Sequence, residues 1–157
     1  MVIISHRGNI YDKNLELENT KAYILKAINL GFDVEVDIKF ENNKFVLGHD
    51  WPIESIDSKW ILDYSSKLLF HCKNLNSAFE LLNLNSEMNL FCHKSDPYVL
   101  ISNGLIWVDD KNLTLNQKCI IPIFEKNNIY PLINKIYGIC VDHCIHYKNQ
   151  LENYGLK

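Results

Sequence analysis

The sequence predicts an α/β fold in a single domain, residues 1–157, because strand-like and helix-like segments alternate along its first half. Three segments carry this prediction: a β-branched run over residues 2–5, a helical apolar pattern over 19–30, and strict alternation over 32–38. A chain of 157 residues is long enough for one domain with a substantial core.

Polar residues follow the first predicted strand and precede the first predicted helix. His6 and Arg7 come directly after the β-branched run, so the strand end should present them while Gly8 lets the chain turn away. Glu18 stands just before the helix, near its positive end, and Gly31 is a natural stop after it. We expect these polar residues to take part in one site.

The alternating strand over residues 32–38 places Glu35 and Asp37 on the same face. Two neighbouring carboxylates repel each other unless a cation lies between them or they face water, so a hard divalent metal ion is a reasonable occupant. A solvated strand face is the other interpretation of this motif taken by itself.

A hairpin turn is predicted over residues 41–44, and the returning strand over 45–48 ends at His49 and Asp50. His49 by itself would be interpreted as a structural histidine. Together with His6 at a neighbouring strand end it forms a candidate acid/base pair, because imidazole gives and takes protons near neutral pH.

These motifs resemble those of the glycerophosphodiester phosphodiesterases. The family pattern stands here, in the same order and at similar spacing, as His6-Arg7-Gly8, Glu18-Asn19-Thr20, Glu35-x-Asp37 and His49-Asp50. The family fold is a TIM-type (β/α) barrel, which typically needs about 250 residues. For this shorter chain the resemblance implies a compact, irregular barrel with about seven or eight strands and several helices shortened or missing.

The resemblance also implies a metal-dependent phosphodiesterase, that is, a phosphoric diester hydrolase. Its substrate would be a small phosphodiester, glycerophosphodiester-like or derived from a sugar or lipid, and its cofactor would be Mg²⁺, Ca²⁺ or Mn²⁺. The implied site has three groups of residues: the acid/base pair His6 and His49, the substrate and phosphate ligands Arg7, Lys73 and Glu18, and the metal ligands Glu35, Asp37 and His71.

The third strand, predicted over residues 67–74, departs from the family pattern. The family strand ends in Glu-x-Lys, and here Lys73 is kept while His71 stands at the glutamate position. Imidazole in place of a carboxylate removes one negative charge, which lowers the expected affinity for Mg²⁺ or Ca²⁺ and favours Mn²⁺ or Zn²⁺. Alternatively, His71 binds substrate or packs internally, and Glu35 and Asp37 hold the ion with waters.

The rest of the chain is predicted to continue the alternation. Residues 51–66 are expected to be a loop with one helical turn around Trp60. Further predicted elements are helices over 75–84 and 128–137, strands over 89–96, 105–110, 119–125 and 137–142, and a polar turn after the last strand. His93 and Lys94 are second-rank site candidates, and Asp142 is expected to orient a loop or a histidine.

The composition argues against several classes of protein. A net charge of −3 without a Lys/Arg cluster gives no indication of a nucleic-acid partner. No apolar run approaches a membrane span, and residue 1 leads almost directly into the first strand without room for a signal peptide. Five cysteines without zinc-type spacing are typical of reduced thiols, so a cytoplasmic location is expected.

Missing barrel helices would leave apolar strand faces, which mildly favours a homodimer.

The sequence leaves two further functions open. One is a catalytically silent domain that binds a phosphate ligand or serves in assembly, an alternative motivated by His71. The other is a lyase that stops at a cyclic phosphate. Activity toward a panel of phosphodiesters distinguishes the first alternative, and phosphorus NMR of the products distinguishes the second.

Overall fold

The computed structural model describes residues 1–110 and 112–156, which form one curled mixed sheet with four α-helices. The strands are Val2–His6 (β1), Asp33–Glu41 (β2), Lys44–Leu47 (β3), Glu54–Ile56 (β4), Leu68–Cys72 (β5), Leu90–Phe91 (β6), Tyr98–Leu100 (β7), Ile106–Val108 (β8), Cys119–Ile123 (β9) and Gly138–Val141 (β10). The helices are Lys21–Asn29 (α1), Ser58–Tyr64 (α2), Leu75–Leu84 (α3) and Cys144–Asn153 (α4), and 3₁₀ turns cover Ser65–Lys67 and Tyr130–Leu132.

Seven of the strands run parallel, in the order β6, β5, β2, β1, β10, β9, β8. The other three strands pair antiparallel. Strand β3 pairs with the carboxyl-terminal part of β2, β4 pairs with β3, and β7 pairs with β8. Because parallel strands point the same way, the carboxyl ends of the seven meet at one rim of the sheet, where polar residues that follow strands come together.

The prediction of a TIM-type barrel is wrong. The sheet curls into a half-barrel that ends at β6 on one side and at β7 on the other, and no strand ladder joins these two among the described residues. Helices α1 and α3 connect β1 to β2 and β5 to β6, but the described parts of the β8–β9 and β9–β10 connections contain no α-helix. The β8–β9 connection, residues 109–118, is shorter than the roughly dozen residues that a crossover needs, and the β9–β10 connection forms only the 3₁₀ turn Tyr130–Leu132. The alternating ring of strands and helices therefore does not form.

Each face of the sheet carries an apolar layer. Val34, Val36 and Ile38 of β2 belong to the large buried cluster that also contains Ile24 of α1, so this layer lies between the sheet and its helices. A smaller cluster fills the inside of the curl. It consists of Ile4, Leu69, Phe91, Ile101, Trp107, Ile120 and Cys140, all from strands or loops.

The inner cluster forms the floor beneath the polar rim. His6, His71 and Asp142 each follow a residue of this cluster by two positions. Since side chains alternate along a strand, these three face the same concave side as their apolar predecessors, one layer nearer the rim. Glu35 and Asp37 alternate with the β2 residues that face the helices, so they too point into the curl.

Most of the predicted elements are confirmed, and others are shortened or replaced. The strands predicted at 2–5, 32–38, 45–48 and 67–74 correspond to β1, β2, β3 and β5, and the helices at 19–30 and 75–84 to α1 and α3. Over 51–66, the helical turn expected around Trp60 is confirmed as α2, whereas β4 was not predicted. The helix expected over 128–137 is reduced to the turn Tyr130–Leu132, and the polar turn expected after the last strand is the start of α4.

Two further features concern the length of the helices and the state of the cysteines. Within residues 1–110 and 112–156, none of the helices combines the length and apolar character that crossing a bilayer requires. The five cysteines are free thiols, and all except Cys92 are buried.

Candidate active site

The polar residues of the predicted site lie together at the rim formed by the carboxyl ends of β1, β2 and β5. Strand register sets them side by side: His6 stands opposite Glu35, and Asp37 stands opposite His71. Because neighbouring strands are about 4.8 Å apart and these side chains share the concave face, their functional groups reach each other.

Glu35, Asp37 and His71 form what we call the acidic centre. His71 Nδ1 lies 3.1 Å from Asp37 Oδ1 and 3.5 Å from Glu35 Oε1. Burial opposes a charge on His71, but the two carboxylates outweigh it and raise the pKa of the imidazole to about 9. Burial also opposes the charge of Asp37, yet His71 and Arg7 hold the pKa of that carboxyl well below its usual range.

The acidic centre fits a divalent metal ion. One ligand atom from each of its three residues lies within 4.8 Å of the others. Glu35 Oε2 and Asp37 Oδ1 are buried without a hydrogen bond of good geometry among the described residues, so each has a lone pair left for a cation. His71 Nε2 donates to the His93 carbonyl oxygen at 3.1 Å, which in the neutral ring leaves Nδ1 as the ligating nitrogen.

Arg7 is a fixed cation beside the acidic centre. Its Nε lies 2.8 Å from Asp37 Oδ2, and its Nη1 lies 3.2 Å from Glu18 Oε2. The backbone of Arg7 has a φ of +56°, and its N–H donates to the Glu35 carbonyl at 2.8 Å. Burial disfavours the guanidinium charge, but Asp37 and Glu35 more than compensate and raise the pKa of Arg7. The positive charge therefore stays in place at the rim.

His6 is held by Asp142, the residue that follows β10. Its Nδ1 donates to Asp142 Oδ1 at 2.7 Å, while its Nε2 faces Glu35 Oε2 at 4.0 Å. Burial opposes ionisation of Asp142, but the His6 hydrogen bond outweighs it and lowers the pKa of that carboxyl. The ring of Phe124 lies 4.7 Å from the His6 ring, centroid to centroid. Asp142 thus orients a histidine, as the sequence predicted.

His49 approaches the acidic centre from the loop after β3 and is more exposed than His6, with a side-chain exposure of 36%. The preceding Gly48 has a φ of +139°, and a Cβ there would meet the Trp51 carbonyl oxygen at 2.0 Å, so this turn requires glycine. His49 Nδ1 donates to Asp50 Oδ1 at 2.8 Å, and Lys73 Nζ donates to His49 Nε2 at 3.0 Å. Lys73 Nζ is in turn 3.9 Å from Asp37 Oδ1.

All eight residues predicted for the site belong to one continuous set of contacts. Starting at His49, it runs through Lys73, Asp37, His71 and Glu35 to His6. Arg7 joins it at Asp37, and Glu18 joins it through Arg7. Of the second-rank candidates, His93 supplies its carbonyl to His71 and directs its Nε2 to Asp109 Oδ2 at 2.9 Å. Lys94 is exposed and lines a surface pocket with Lys73 and His93.

Two buried asparagines of the site were not predicted. Asn19 Nδ2 donates to Asp37 Oδ2 at 3.0 Å, and its Oδ1 accepts the Asp37 backbone N–H at 3.0 Å. Asn9 Nδ2 donates to Glu18 and to Asp142. Asn19 could have been found, because it lies inside the Glu18-Asn19-Thr20 motif. Asn9 gave no signal, since one of its partners is 133 residues away along the chain.

Comparison with family models and with curated proteins gave no match for this sequence. The likeness to the glycerophosphodiester phosphodiesterases therefore rests on the sequence motifs alone. The chain departs from that family in two ways: His71 stands at the glutamate position, and the sheet forms a half-barrel.

Proposed function

We propose that this protein is a metal-dependent phosphodiesterase that acts on a small glycerophosphodiester-like, sugar-derived or lipid-derived phosphodiester. The observation that carries the proposal is the arrangement of two imidazoles at one acidic centre. His6 and His49 each have Nδ1 fixed by a carboxylate, at 2.7 Å from Asp142 and 2.8 Å from Asp50. In both rings Nε2 is therefore the atom left for proton transfer.

The neighbours of the two Nε2 atoms favour different roles. Lys73 can only donate, so the contact of its Nζ with His49 Nε2 at 3.0 Å makes that nitrogen an acceptor, suited to take a proton from a substrate hydroxyl. A proton on His6 Nε2 would face Glu35 Oε2, at 4.0 Å. We assign His49 as the general base and His6 as the general acid.

In the proposed reaction, a hydroxyl next to the phosphate attacks phosphorus and loses its proton to His49. The bond from phosphorus to the other alcohol breaks, and His6 protonates the leaving oxygen. Water then opens the cyclic phosphate with the two histidines in reversed roles. Arg7 and Lys73 neutralise the phosphoryl oxygens, and a divalent ion held by Glu35, Asp37 and His71 would add positive charge where negative charge grows.

The test is activity on a panel of phosphodiesters with Mg²⁺, Ca²⁺ or Mn²⁺, with phosphorus NMR to separate a monoester product from a cyclic phosphate. The variants His6→Ala and His49→Ala should each lower kcat by about a hundredfold or more, because each removes a proton carrier. His146→Ala is the matched control, since His146 lies on α4 and contacts Gln150 rather than the site. Unchanged turnover in either active-site variant would exclude that histidine from the chemistry.

A second candidate is a domain that binds a phosphate ligand without turning it over. One observation favours it: the His71 imidazole already lies against both carboxylates, so the acidic centre has a cation of its own. Calorimetric titration with inorganic phosphate tests this function. Binding together with the absence of product from every phosphodiester of the panel, over long incubation with each metal, would select it over the enzyme.

A further inference from the structure

Asn9 is a fully buried residue in the turn that follows β1, with 0% exposure. Its Nδ2 donates to Glu18 Oε1 at 2.8 Å and to Asp142 Oδ1 at 2.8 Å. Both partners are carboxylates, which accept only, so the amide nitrogen must be the atom that faces them. The orientation agrees with the other side of the amide, because Asn9 Oδ1 accepts the backbone N–H of Asn14 at 3.0 Å.

The two carboxylates that share Asn9 each hold a different residue of the site. Glu18 Oε2 contacts the Arg7 guanidinium at 3.2 Å, and Asp142 Oδ1 accepts from His6 Nδ1 at 2.7 Å. The Asn9 amide thus lies between two carboxylates: Glu18, which holds the proposed phosphate-binding residue Arg7, and Asp142, which holds the proposed general acid His6. A shift of Asn9 would displace both.

This cluster differs from the acidic centre although both have the composition of a cation site. Ligand atoms of His6, Glu18 and Asp142 lie within 4.8 Å of one another. Within the described residues, however, their oxygens are not among the buried atoms that lack a hydrogen-bond partner. The two N–H groups of Asn9 separate the carboxylates and satisfy them, so this cluster needs no ion.

We propose that Asn9 is a positioning residue that sets Arg7 and His6 together, an inference that rests on the proposed phosphodiesterase function. It acts through Glu18 and Asp142 and touches neither the substrate nor the metal. Phosphate binding and proton transfer are therefore coupled through one side chain. Its removal should raise KM and lower kcat, whereas loss of Arg7 alone chiefly affects binding and loss of His6 alone chiefly affects turnover.

The first experiment needs neither a variant nor activity. In the nitrogen-15 spectrum of the parent protein, the two side-chain amide protons of Asn9 should exchange with water far more slowly than those of Asn14, which is partly exposed in the same loop. Exchange of the Asn9 protons as fast as those of Asn14 would overturn the proposal, since both hydrogens would then be free of the carboxylates.

The second experiment uses two variants. Asn9→Asp keeps the shape of the side chain and the acceptor for Asn14 but removes both donors, and Asn9→Ser keeps one donor. We expect kcat/KM to fall about tenfold or more in Asn9→Asp, through both kcat and KM, and less in Asn9→Ser, because small misplacements of reacting groups are costly. Asn14→Ala, which keeps the backbone N–H, is the control and should match the parent.

Parental kinetics in a folded Asn9→Asp or Asn9→Ser protein would contradict the assignment. If the parent protein hydrolyses no phosphodiester, the proposed function fails, but the role of Asn9 is still decided by the exchange experiment and by inorganic phosphate titration. In that titration Asn9→Ser should bind phosphate at least about threefold more weakly than Asn14→Ala, because Arg7 loses part of its support. Equal affinities would overturn the role.

Discussion

At the scale of single residues, His71 determines how this site differs from the pattern it resembles. Its ring stacks on Phe91 with centroids 4.6 Å apart, and its Nε2 is fixed on the His93 carbonyl at 3.1 Å. Its Nδ1 faces Glu35 and Asp37, and their carboxylates hold the pKa of His71 near 9 against the opposing effect of burial. At neutral pH, without a metal ion, a protonated imidazole therefore stabilises two buried carboxylates.

This arrangement predicts what happens when the glutamate of the family pattern is placed at position 71. His71→Glu would replace a buried cation by a third buried carboxylate, so without metal the free energy of unfolding should fall by about 3 kcal/mol or more. For a chain of this size that lowers Tm by roughly 6 °C or more. Adding Mg²⁺ or Ca²⁺ should return most of the loss, because hard cations prefer three carboxylates to two and an imidazole. Thermal unfolding in chelator and in excess metal measures both effects.

His71→Gln is the matched control for that substitution. It removes the positive charge without adding a negative one, so its Tm in chelator should lie between those of the parent and His71→Glu, with a smaller response to Mg²⁺. A His71→Glu protein as stable as the parent in chelator, with no gain from metal, would mean that Glu35 and Asp37 are not electrostatically coupled to this position.

The residues of the acidic centre were predictable because their signal is local. The alternation that puts Glu35 and Asp37 on one face is visible within a few residues, whereas His71 was predicted from the Glu-x-Lys pattern of the resembled family at the end of the third strand. Asp142 was predicted only to orient a loop or a histidine, and Asn9 was not predicted. Their hydrogen bonds join positions 136 and 133 residues apart, so only the pairing of β1 with β10 brings them together.

At the scale of elements, the first turn of α3 fixes the end of β2 next to Lys73. Asn74, the N-cap of this helix, accepts the Ser77 backbone N–H at 3.0 Å. The same side chain pairs with the β2 backbone, since Phe40 N–H donates to Asn74 Oδ1 at 3.2 Å and Asn74 Nδ2 donates to the Phe40 carbonyl at 3.2 Å. One residue thus caps a helix and ties it to the strand that carries the acidic centre.

Two capping residues allow these contributions to be separated. Asn74→Ala should lower the free energy of unfolding by about 2 kcal/mol or more, because the cap is lost and two half-buried backbone groups lose their partner. Asp57→Ala, at the exposed N-cap of α2, should cost about 1 kcal/mol, since it removes only the bond to the Trp60 N–H. Urea unfolding at constant m measures both. Equal costs would show that Asn74 serves only as a cap.

Elements were predictable where the apolar pattern and the stop signals agree. In the helix expected over 128–137, Pro131 lies in the first turn, where proline is tolerated, but the turn is not continued because Ile133 has an extended ψ of 134° and Asn134 a φ of +64°. Helix α4 was missed although Cys144, Tyr147 and Leu151 recur at helical spacing and are buried. The cysteines and histidines near its start were interpreted as a polar turn, and the helical spacing of these three residues was not used.

At the scale of the whole molecule, the difference between a closed barrel and this half-barrel lies in how the two ends of the sheet meet. Inside the curl, Phe91 stacks on Trp107 with centroids 4.9 Å apart and on His71 at 4.6 Å. Ser102 also bridges the ends. Its backbone N–H donates to the Leu90 carbonyl at 3.0 Å, and its hydroxyl accepts from the Leu90 N–H at 2.9 Å. Together with the contacts of Asn103 with Asn89 and of His93 with Asp109, the aromatic stack and Ser102 hold the two ends together in place of a strand ladder. The linear pattern of a sequence does not encode such contacts.

This join should be the weakest part of the molecule. Strands β1, β2 and β10 are flanked on both sides and largely buried, whereas Leu100 of the edge strand β7 is 67% exposed. Native-state hydrogen exchange should therefore show residues 88–104 opening at a lower free energy than β1, β2 and β10.

Ser102→Ala tests whether the join controls that opening. The variant loses the hydroxyl's bonds to Leu90 and to the Met88 carbonyl, at 2.9 and 2.6 Å. At about 1 kcal/mol for each bond, exchange in residues 88–104 should accelerate by roughly tenfold or more while the central strands change little. Ser55→Ala on β4, at the opposite end of the sheet, is the control and should leave 88–104 unchanged. If Ser102→Ala instead accelerates exchange equally in β1, β2 and β10, the molecule opens as one unit, and the two ends of its sheet are joined as firmly as its centre.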